Sequence, residues 1–425
     1  MSSRGNVFRA LHVPAYRRIW TAVLVSSLGT WMQITGRAFL VYDITGSTSA
    51  LGTIYLVSYG PQLFLAPYAG AVADRYDRRR TLLVGTWLLV AASTATGVLA
   101  ATGTATLLTL SVVSLISGAV QTVTQTASMA LLPSLVGRED LSSAVSMQAV
   151  TSSGTRVVGP LAAGLLIQLV GVEWLFYLNA LSLLPVLLAW RRTQVPAREG
   201  VLGTTRSAVL DGLRFTRRTP AIAVPLSLLA VLSAVGLVYQ SLGVAYTTAV
   251  LADGNRTLGG TYFGLLQGAI GVGSIVAILV VTGLSERRPS LVLIGSGAGF
   301  SLALLTLGLV DSPSVALAVA VLLGGTSFAN SNLTLALAQH HAPEQMRGRV
   351  MSLSTVAFVG IFPFSSFVLG RIADITGIQA TFVGCGAVCL VASVIALHWR
   401  SHIWIPGVGE ASSVAVGEPV AIGPA

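Results

Sequence analysis

Long apolar stretches separated by short polar segments make up most of the chain. Twelve of them carry few or no charges and reach about 20 residues, the length at which an α-helix crosses the hydrocarbon core of a bilayer. They cover residues 19–44, 49–72, 81–101, 105–135, 141–170, 173–190, 221–250, 257–283, 290–310, 313–340, 350–376 and 379–399. The longer stretches are expected to tilt or to project from the membrane. The pattern predicts an all-α integral membrane protein with twelve transmembrane helices.

The longest polar segment, residues 191–220, divides the twelve stretches into two sets of six. Short similarities recur in both sets at one offset, as between residues 9–14 and 215–220, which indicates two duplicated bundles. We therefore predict an N-terminal six-helix bundle over 1–190, a cytoplasmic linker over 191–220 and a C-terminal six-helix bundle over 221–400. Residues 401–425, rich in Gly, Ser, Val and Pro, are predicted to form a disordered cytoplasmic tail.

Composition and charge agree with a membrane protein, since 53% of the 425 residues are hydrophobic and 9% are charged. The formal net charge is +10, and all 25 cationic residues are arginine. With a cytoplasmic N-terminus, 21 arginines fall in cytoplasmic segments and only Arg256 falls on the opposite side. Because basic residues accumulate on the cytoplasmic side, both termini are predicted to be cytoplasmic. The basic excess therefore reflects topology and does not indicate a nucleic-acid partner.

Motifs for enzymatic chemistry are missing from the sequence. It contains no metal-spaced His and Cys set, no P-loop and no nucleophile motif, so we predict neither an enzyme nor a cofactor or metal site. The same observation argues against an ATP-driven pump. Cys385 and Cys389, four residues apart in the last span, are interpreted as small apolar packing residues.

Polar residues recur at helical spacing inside the first, fourth, seventh and tenth spans and mark faces turned towards protein or water. The stripes are Ser26, Thr30, Gln33 and Arg37; Ser114, Ser117, Gln121, Gln125 and Ser128; Ser233, Gln240 and Thr247; and Ser327, Asn330 and Thr334. From these stripes and the fifth span, we predict a substrate cavity lined by Gln33, Arg37, Gln121, Gln125, Arg156, Gln240 and Asn330. The alternative is hydrogen bonding between helices, which Ser, Thr, Asn and Gln also provide in membranes.

Two of these residues are arginines inside predicted spans. Arg156 lies near the centre of the fifth span and Arg37 in the outer half of the first. A guanidinium costs at least about 2.5–3.5 kcal/mol at the membrane centre, and no carboxylate occupies the middle of any predicted span. Arg156 must therefore bind carbonyls, amides, hydroxyls, water or an anion. Contact with an anionic or polar substrate and a structural role between the halves both fit, whereas Arg37 can also extend to the membrane interface.

The segment Gly70-x-x-x-Asp74-Arg75-x-Asp77-Arg78-Arg79-Arg80 resembles the loop between the second and third helices of the major facilitator superfamily. The similarity extends over nearly the whole chain. Residues 28–33, 41–46, 156–160 and 343–350 favour the enterobactin-exporter-like and multidrug efflux branch. The resemblance implies two pseudo-symmetric bundles around a central cavity that is lined by the first, fourth, seventh and tenth spans.

The resemblance also implies a conformational latch at Gly70, Asp74, Arg75, Arg78 and Arg79. The Asp74 carboxylate would accept hydrogen bonds from the start of the eleventh span and attract its helix dipole. Gly70 would allow close helix approach, and the three arginines would pair with acids such as Glu139 or Asp140, unless they only mark topology.

In the fifth span, Gly159 and Pro160 resemble a Gly-Pro signature of antiporters. At these positions they would permit helix packing and bending. The spacing of the following residues departs from that signature, which ends Gly-Pro-x-x-Gly-Gly. The resemblance therefore gives modest support to antiport.

We predict a secondary active transporter of the bacterial inner or plasma membrane that exports a drug, secondary metabolite or siderophore by alternating access. Its expected partners are the small-molecule substrate, protons as coupling ion and the lipid bilayer, and it is expected to act as a monomer. Candidate proton carriers are Asp43, Asp374, His340 and His341. The alternatives are a proton-coupled uptake symporter and, from another class, a membrane sensor or scaffold that does not transport.

Overall fold

The computed structural model describes residues 9–75, 77–193 and 213–403, while the side chains of 66–75 and of scattered helix positions elsewhere lie outside the description. The described residues are almost entirely helical and contain no β-strand. Most of the predicted linker (194–212) and nearly all of the predicted tail (404–425) are outside this range. The predicted domain boundaries therefore stay a prediction.

Six long helices form the N-terminal half. They are α1 (Pro14–Thr45), α2 (Thr48–Arg75), α3 (Arg78–Ala101), α4 and α5 within Leu107–Val170, and α6 (Glu173–Arg192). Gly137, with φ at 72°, separates α4 from α5. Gly46 ends α1 in the left-handed conformation, which glycine adopts without steric cost. The Asp77 side chain accepts the Arg80 N–H at 2.6 Å and so caps the start of α3.

The C-terminal half also contains six long helical stretches. They are α7 (Pro220–Leu251), α8 (Arg256–Arg287), α9 (Pro289–Leu307), α10 (Pro313–His341), α11 (Glu344–Thr355 continuing through Val356–Gly360 to Phe362–Thr376) and α12 (Ile378–His398). A short helix over 213–218 precedes α7. Proline occupies the first turn of α7, α9 and α10, where its missing N–H costs nothing.

Ten of the helices in the described part of the chain are long and apolar enough to cross a membrane. Helices α1 and α2, with 32 and 28 residues, exceed the required length but are not among these ten. The predicted total of twelve spans therefore depends on α1 and α2.

The helices of each half pack mainly on one another, and two pairs make most of the contacts between the halves: α2 runs along α11, and α5 runs along α8. Both crossings depend on glycine. A Cβ atom on Gly164 of α5 would lie 3.0 Å from the Cα atom of Gly264 on α8, and one on Gly52 of α2 would lie 2.3 Å from the carbonyl oxygen of Ser366 on α11. Side chains at these positions would force the halves apart.

The two ends of the molecule differ in how the halves meet. At the Gly46 end, where α1 turns into α2, the halves touch: Arg256 of α8 pairs with Asp43 of α1 at 2.8 Å, and Asp374 of α11 binds the first turn of α2. Towards the Arg79 end, where α2 turns into α3, a cavity separates α5 from α8 and α10. The structure is therefore closed at the Gly46 end and has its cavity towards the Arg79 end.

Candidate substrate cavity

A cavity of about 440 Å³ lies between the two halves and is bounded by α5, α7, α8, α10 and α11. Its apolar walls include the rings of Tyr239, Phe328 and Phe358. Its polar lining consists of Ser152, Arg156, Gln240, Gln267, Ser274, Ser327, Ser331, Asn332, Ser354 and Thr355. Apolar walls with a few polar groups are typical of a small-molecule site.

The last contact between the α5 and α8 helices lies at the level of the cavity. A Cβ atom on Gly271 of α8 would lie 2.2 Å from the Val157 side chain of α5, so the helices are in contact at this level. One turn further towards the Arg79 end, Ser152 of α5 and Ser274 of α8 both line the cavity. The polar lining therefore extends from the middle of the predicted spans towards the Arg79 end.

Arg156 is the one charged side chain among the described residues that line the cavity. Its guanidinium carbon lies 5.5 Å from the centre of the Trp31 ring of α1, within the range of a cation–π interaction. The ring orients the guanidinium without neutralising it. Since arginine keeps its charge in proteins, the cavity presents a fixed positive charge on its N-terminal wall.

Two glutamines supply polar groups from the C-terminal half. Gln240 donates from Nε2 to the Tyr239 hydroxyl at 3.2 Å, while its backbone carbonyl accepts the Tyr55 hydroxyl of α2 at 3.0 Å. The Oε1 atom of Gln267 is buried and has no hydrogen-bond partner among the described residues. An unpaired buried acceptor is costly, so this atom is suited to a donor on a bound molecule.

Arg156 and Gln240 are thus the two predicted cavity residues that line this space. Gln33 lies within the N-terminal bundle, where its Oε1 accepts the Ser93 hydroxyl at 2.5 Å and an Asn179 N–H. Asn330 lies inside the C-terminal bundle and donates to the Leu293 carbonyl at 3.1 Å. For these two residues, the alternative of hydrogen bonding between helices describes the structure, and their assignment to the cavity is corrected.

Three further predicted cavity residues also lie elsewhere. Gln121 and Gln125 are exposed on α4 and are not part of the cavity lining. Arg37 donates to the Ser114 hydroxyl at 3.1 Å and borders a separate pocket of about 10 Å³ beside Tyr55 and Tyr59. Its guanidinium is thus bound within the N-terminal bundle.

The predicted latch is only partly described. The surroundings of Gly70 and the side chains of Asp74 and Arg75 lie outside the description. Arg78 is the first residue of α3. Next to it, the Arg79 guanidinium donates to the carbonyl of Trp190 at 3.1 Å and to that of Arg191.

The acids predicted to pair with the latch arginines have another partner. Glu139 and Asp140 bind Arg9, at 3.2 and 2.8 Å. The expected pairing of Arg79 with these acids is therefore corrected. Carbonyls in the last turn of a helix lack intrahelical partners and attract cations, which explains why Arg79 binds the end of α6.

Gly159 and Pro160 lie where α5 passes two neighbours. A Cβ atom on Gly159 would lie 2.4 Å from the Cβ of Trp31 on α1. The Pro160 carbonyl oxygen lies 2.7 Å from the position of a Cβ atom on Gly264 of α8. The pair therefore brings α5 close to both α1 and α8, and positions the Trp31 ring beside Arg156.

Sequence reasoning missed several lining residues, Gln267, Ser274, Ser331 and Asn332 among them. Gln267 and Ser274 are seven residues apart, as are Gln240 and Thr247 in the stripe that was recognised. The same search applied to α8 would have found this pair. Asn332 gave no comparable signal, because the polar stripe in this span passes through Asn330. Asn330 faces the inside of the C-terminal bundle, whereas Asn332 faces the cavity.

Over the described part of the chain, a helical membrane fold of two bundles, with a cavity of apolar walls and a few polar groups between them that is closed at one end, defines a secondary transporter of the major facilitator class. Within that class, the chain belongs to the transmembrane secretion effector family (MFS_3), whose family model matches residues 6–414. This is a family of transport proteins and not of enzymes. The recognised resemblance is thereby confirmed.

Curated relatives and solved structures agree with this assignment. The chain is 27% identical over 393 residues to the enterobactin exporter EntS of Escherichia coli O1:K1 / APEC, covering 90% of the chain and 91% of the relative. It shares the fold of a bacterial homologue of the iron transporter ferroportin in an inward-facing state, with TM-score 0.70, 19% identity and coverage of 91% and 99%. The chain also shares the fold of the nucleoside transporter NupG, with TM-score 0.72 and 12% identity. The match covers 90% of the chain and 98% of NupG.

Proposed function

We propose that the chain exports a small organic anion across a bacterial inner membrane by alternating access, with protons as the coupling ion. The observation that carries the proposal is the Arg156 guanidinium, which has no carboxylate partner among the described residues and lies on the wall of a cavity that is closed at one end. An exposed guanidinium on a concave wall can bind an anionic group through two parallel N–H donors.

The other lining groups narrow the chemistry of the substrate. The buried Gln267 oxygen accepts a hydrogen bond, so a suitable substrate carries a donor such as a hydroxyl or amide group. The rings of Tyr239, Phe328 and Phe358 favour an apolar or aromatic body. Siderophores, secondary metabolites and drugs all include such molecules, and similarity to enterobactin exporters makes enterobactin the first compound to test.

The proposed direction of transport rests on the similarity to enterobactin exporters, and the proposed topology is compatible with it. The arginine-rich segments lie at the Arg79 end, which the positive-inside rule assigns to the cytoplasm. The cavity would then lie towards the cytoplasm in this structure, in a state ready to load a cytoplasmic substrate. Both termini are proposed to be cytoplasmic, and the chain is proposed to act as a monomer.

The experiment is uptake and efflux of a panel of dyes, antibiotics and siderophores in cells that express the chain, with and without a protonophore. Cells that do not express the chain serve as the control without transport. Lower accumulation that the protonophore reverses would establish proton-driven export. Higher accumulation would indicate the uptake symporter, and unchanged accumulation of every compound, including enterobactin, would favour the sensor or scaffold.

A further inference from the structure

A second groove, of about 420 Å³, lies between α7 and α12 and shares no lining residue with the substrate cavity. One wall is a face of α7 formed by Pro220, Ala223, Val224, Ser227, Leu228 and Val231. The other is formed by Ala392, Ile395 and Ala396 of α12 and by Trp399, the residue that follows this helix. Ser227 and Ile395 are exposed, so the groove opens sideways towards lipid.

The length of the groove matches one leaflet of a bilayer. From Pro220 to Val231 the groove follows α7 over about 16 Å, at 1.5 Å per helical residue. The hydrocarbon core of a bilayer is about 30 Å thick, and half of that is about 15 Å. Among the described lining residues on α7 and α12, Ser227 is the one with a polar side chain. An acyl chain therefore fits the groove in length and polarity.

Positive charge lies at the Arg79 end of the groove. Arg217, in the short helix before α7, is the one charged residue among the described lining residues. The Trp399 indole closes the opposite wall at the same end, and tryptophan is typical of the level of the lipid headgroups. Thr219 does not cap the start of α7 with its side chain, so the positive end of the α7 dipole adds to the attraction for an anion.

We propose that this groove binds an anionic phospholipid, with the phosphate on Arg217 and one acyl chain along α7. A guanidinium binds phosphate through two parallel N–H groups. In a zwitterionic lipid, the headgroup's own cation competes with the guanidinium for the phosphate, so we expect weaker binding. The occupant is a lipid and not a soluble anion, because most of the groove is apolar. The site is distinct from the substrate cavity and independent of the direction of transport.

The test uses the full-length chain in nanodiscs that contain equal amounts of phosphatidylglycerol and phosphatidylcholine, with retained lipid identified by native mass spectrometry. The wild type is expected to retain phosphatidylglycerol about tenfold more than phosphatidylcholine. This ratio of affinities corresponds to the gain of one charge-assisted hydrogen bond. Arg217→Gln should lose this preference. Arg218→Gln is the matched control, since Arg218 is an adjacent exposed arginine outside the lining, and should keep it.

A second variant tests the groove itself. Ser227→Phe places a large side chain in the groove and should reduce the retention of both lipids. An unchanged melting temperature would show that the variant is folded. The proposal is overturned if Arg217→Gln and Arg218→Gln lower the preference equally, since this would mean a diffuse charge effect. Equal retention of both lipids by the wild type, or release of phosphatidylglycerol by soluble glycerol phosphate, would also overturn it.

Discussion

The Arg156 side chain combines a permanent charge, a position on the cavity wall and a stacking contact with Trp31. If this charge binds the substrate, Arg156→Gln should weaken transport of anionic compounds by about ten- to a hundredfold, the range for a hydrogen-bonded charge. Neutral compounds should be transported normally. Arg156→Lys keeps the charge and should recover part of the activity. Equal loss for anionic and neutral compounds would instead indicate a structural role.

Gln267 allows a test in which stability and function move in opposite directions. Its buried Oε1 atom lacks a partner, so Gln267→Leu removes a costly group and should leave the melting temperature unchanged or raise it. The same change removes an acceptor from the cavity and should raise the KM for a substrate with a hydroxyl or amide donor. A lower melting temperature together with an unchanged KM would contradict this role.

At the scale of single residues, sequence periodicity located polar faces but not their surroundings. Gln33 and Gln240 both belong to polar stripes, yet Gln33 binds Ser93 inside one bundle and Gln240 lines the cavity between two. The interior of a bundle and the cavity wall both accommodate polar side chains, so the spacing of polar residues alone cannot distinguish them. Arg156 was identified on firmer grounds, since a cation in an apolar span without a carboxylate needs a functional or structural explanation.

At the scale of helices, Asp374 of α11 closes the Gly46 end by capping α2 across the boundary between the halves. Its carboxylate accepts the backbone N–H groups of Thr48 and Ser49, at 2.8 and 3.1 Å, and the hydroxyl of Ser47 at 2.9 Å. A carboxylate at a helix N-terminus also interacts favourably with the dipole. The arrangement mirrors the one predicted for Asp74, which lies near the other end of α2.

We expect Asp374→Asn to weaken this closure and shift the protein towards states that open at the Gly46 end. Asparagine keeps one acceptor but loses the charge, so the two N–H groups are held less well. The measurement is labelling of Ser47→Cys by a membrane-impermeant maleimide, with Cys385 and Cys389 replaced by alanine. Asp43→Asn is the control: its ion pair with Arg256 also joins the halves at this end, but 62% of the Arg256 side chain is exposed, so we expect a smaller effect. Equal labelling of the wild type and Asp374→Asn would contradict this role of Asp374.

Asp74→Asn is predicted, from the family resemblance, to act at the opposite end. It should leave expression and membrane insertion near normal while abolishing most transport, because the latch towards the start of α11 would be lost. Labelling of Ser47→Cys should then fall, the reverse of the change expected for Asp374→Asn. Normal transport by Asp74→Asn would remove the latch from the mechanism.

The helices themselves were largely predictable, because apolar length is a strong signal in a membrane protein. The predicted break between spans four and five agrees with the break at Gly137. The π-helical stretches at Leu232–Gly236 and Val356–Gly360 were not predicted. No proline or charge marks them, and such stretches arise from tertiary packing around a site. The first borders the level of Tyr239 and Gln240, where α7 faces the cavity.

For the whole molecule, the contact between α5 and α8 decides which end is closed. Gly164 and Gly264 let the two helices touch beside the Pro160 carbonyl, and the cavity opens only beyond this contact. Gly264→Leu should therefore prevent full closure at the Gly46 end, abolish most transport and increase labelling of Ser47→Cys. Gly295→Leu is the matched control, since a Cβ atom on Gly295 of α9 meets no atom within 4 Å. Because alternating access requires both ends to close in turn, wild-type transport by Gly264→Leu would mean that this crossing is not part of the cycle.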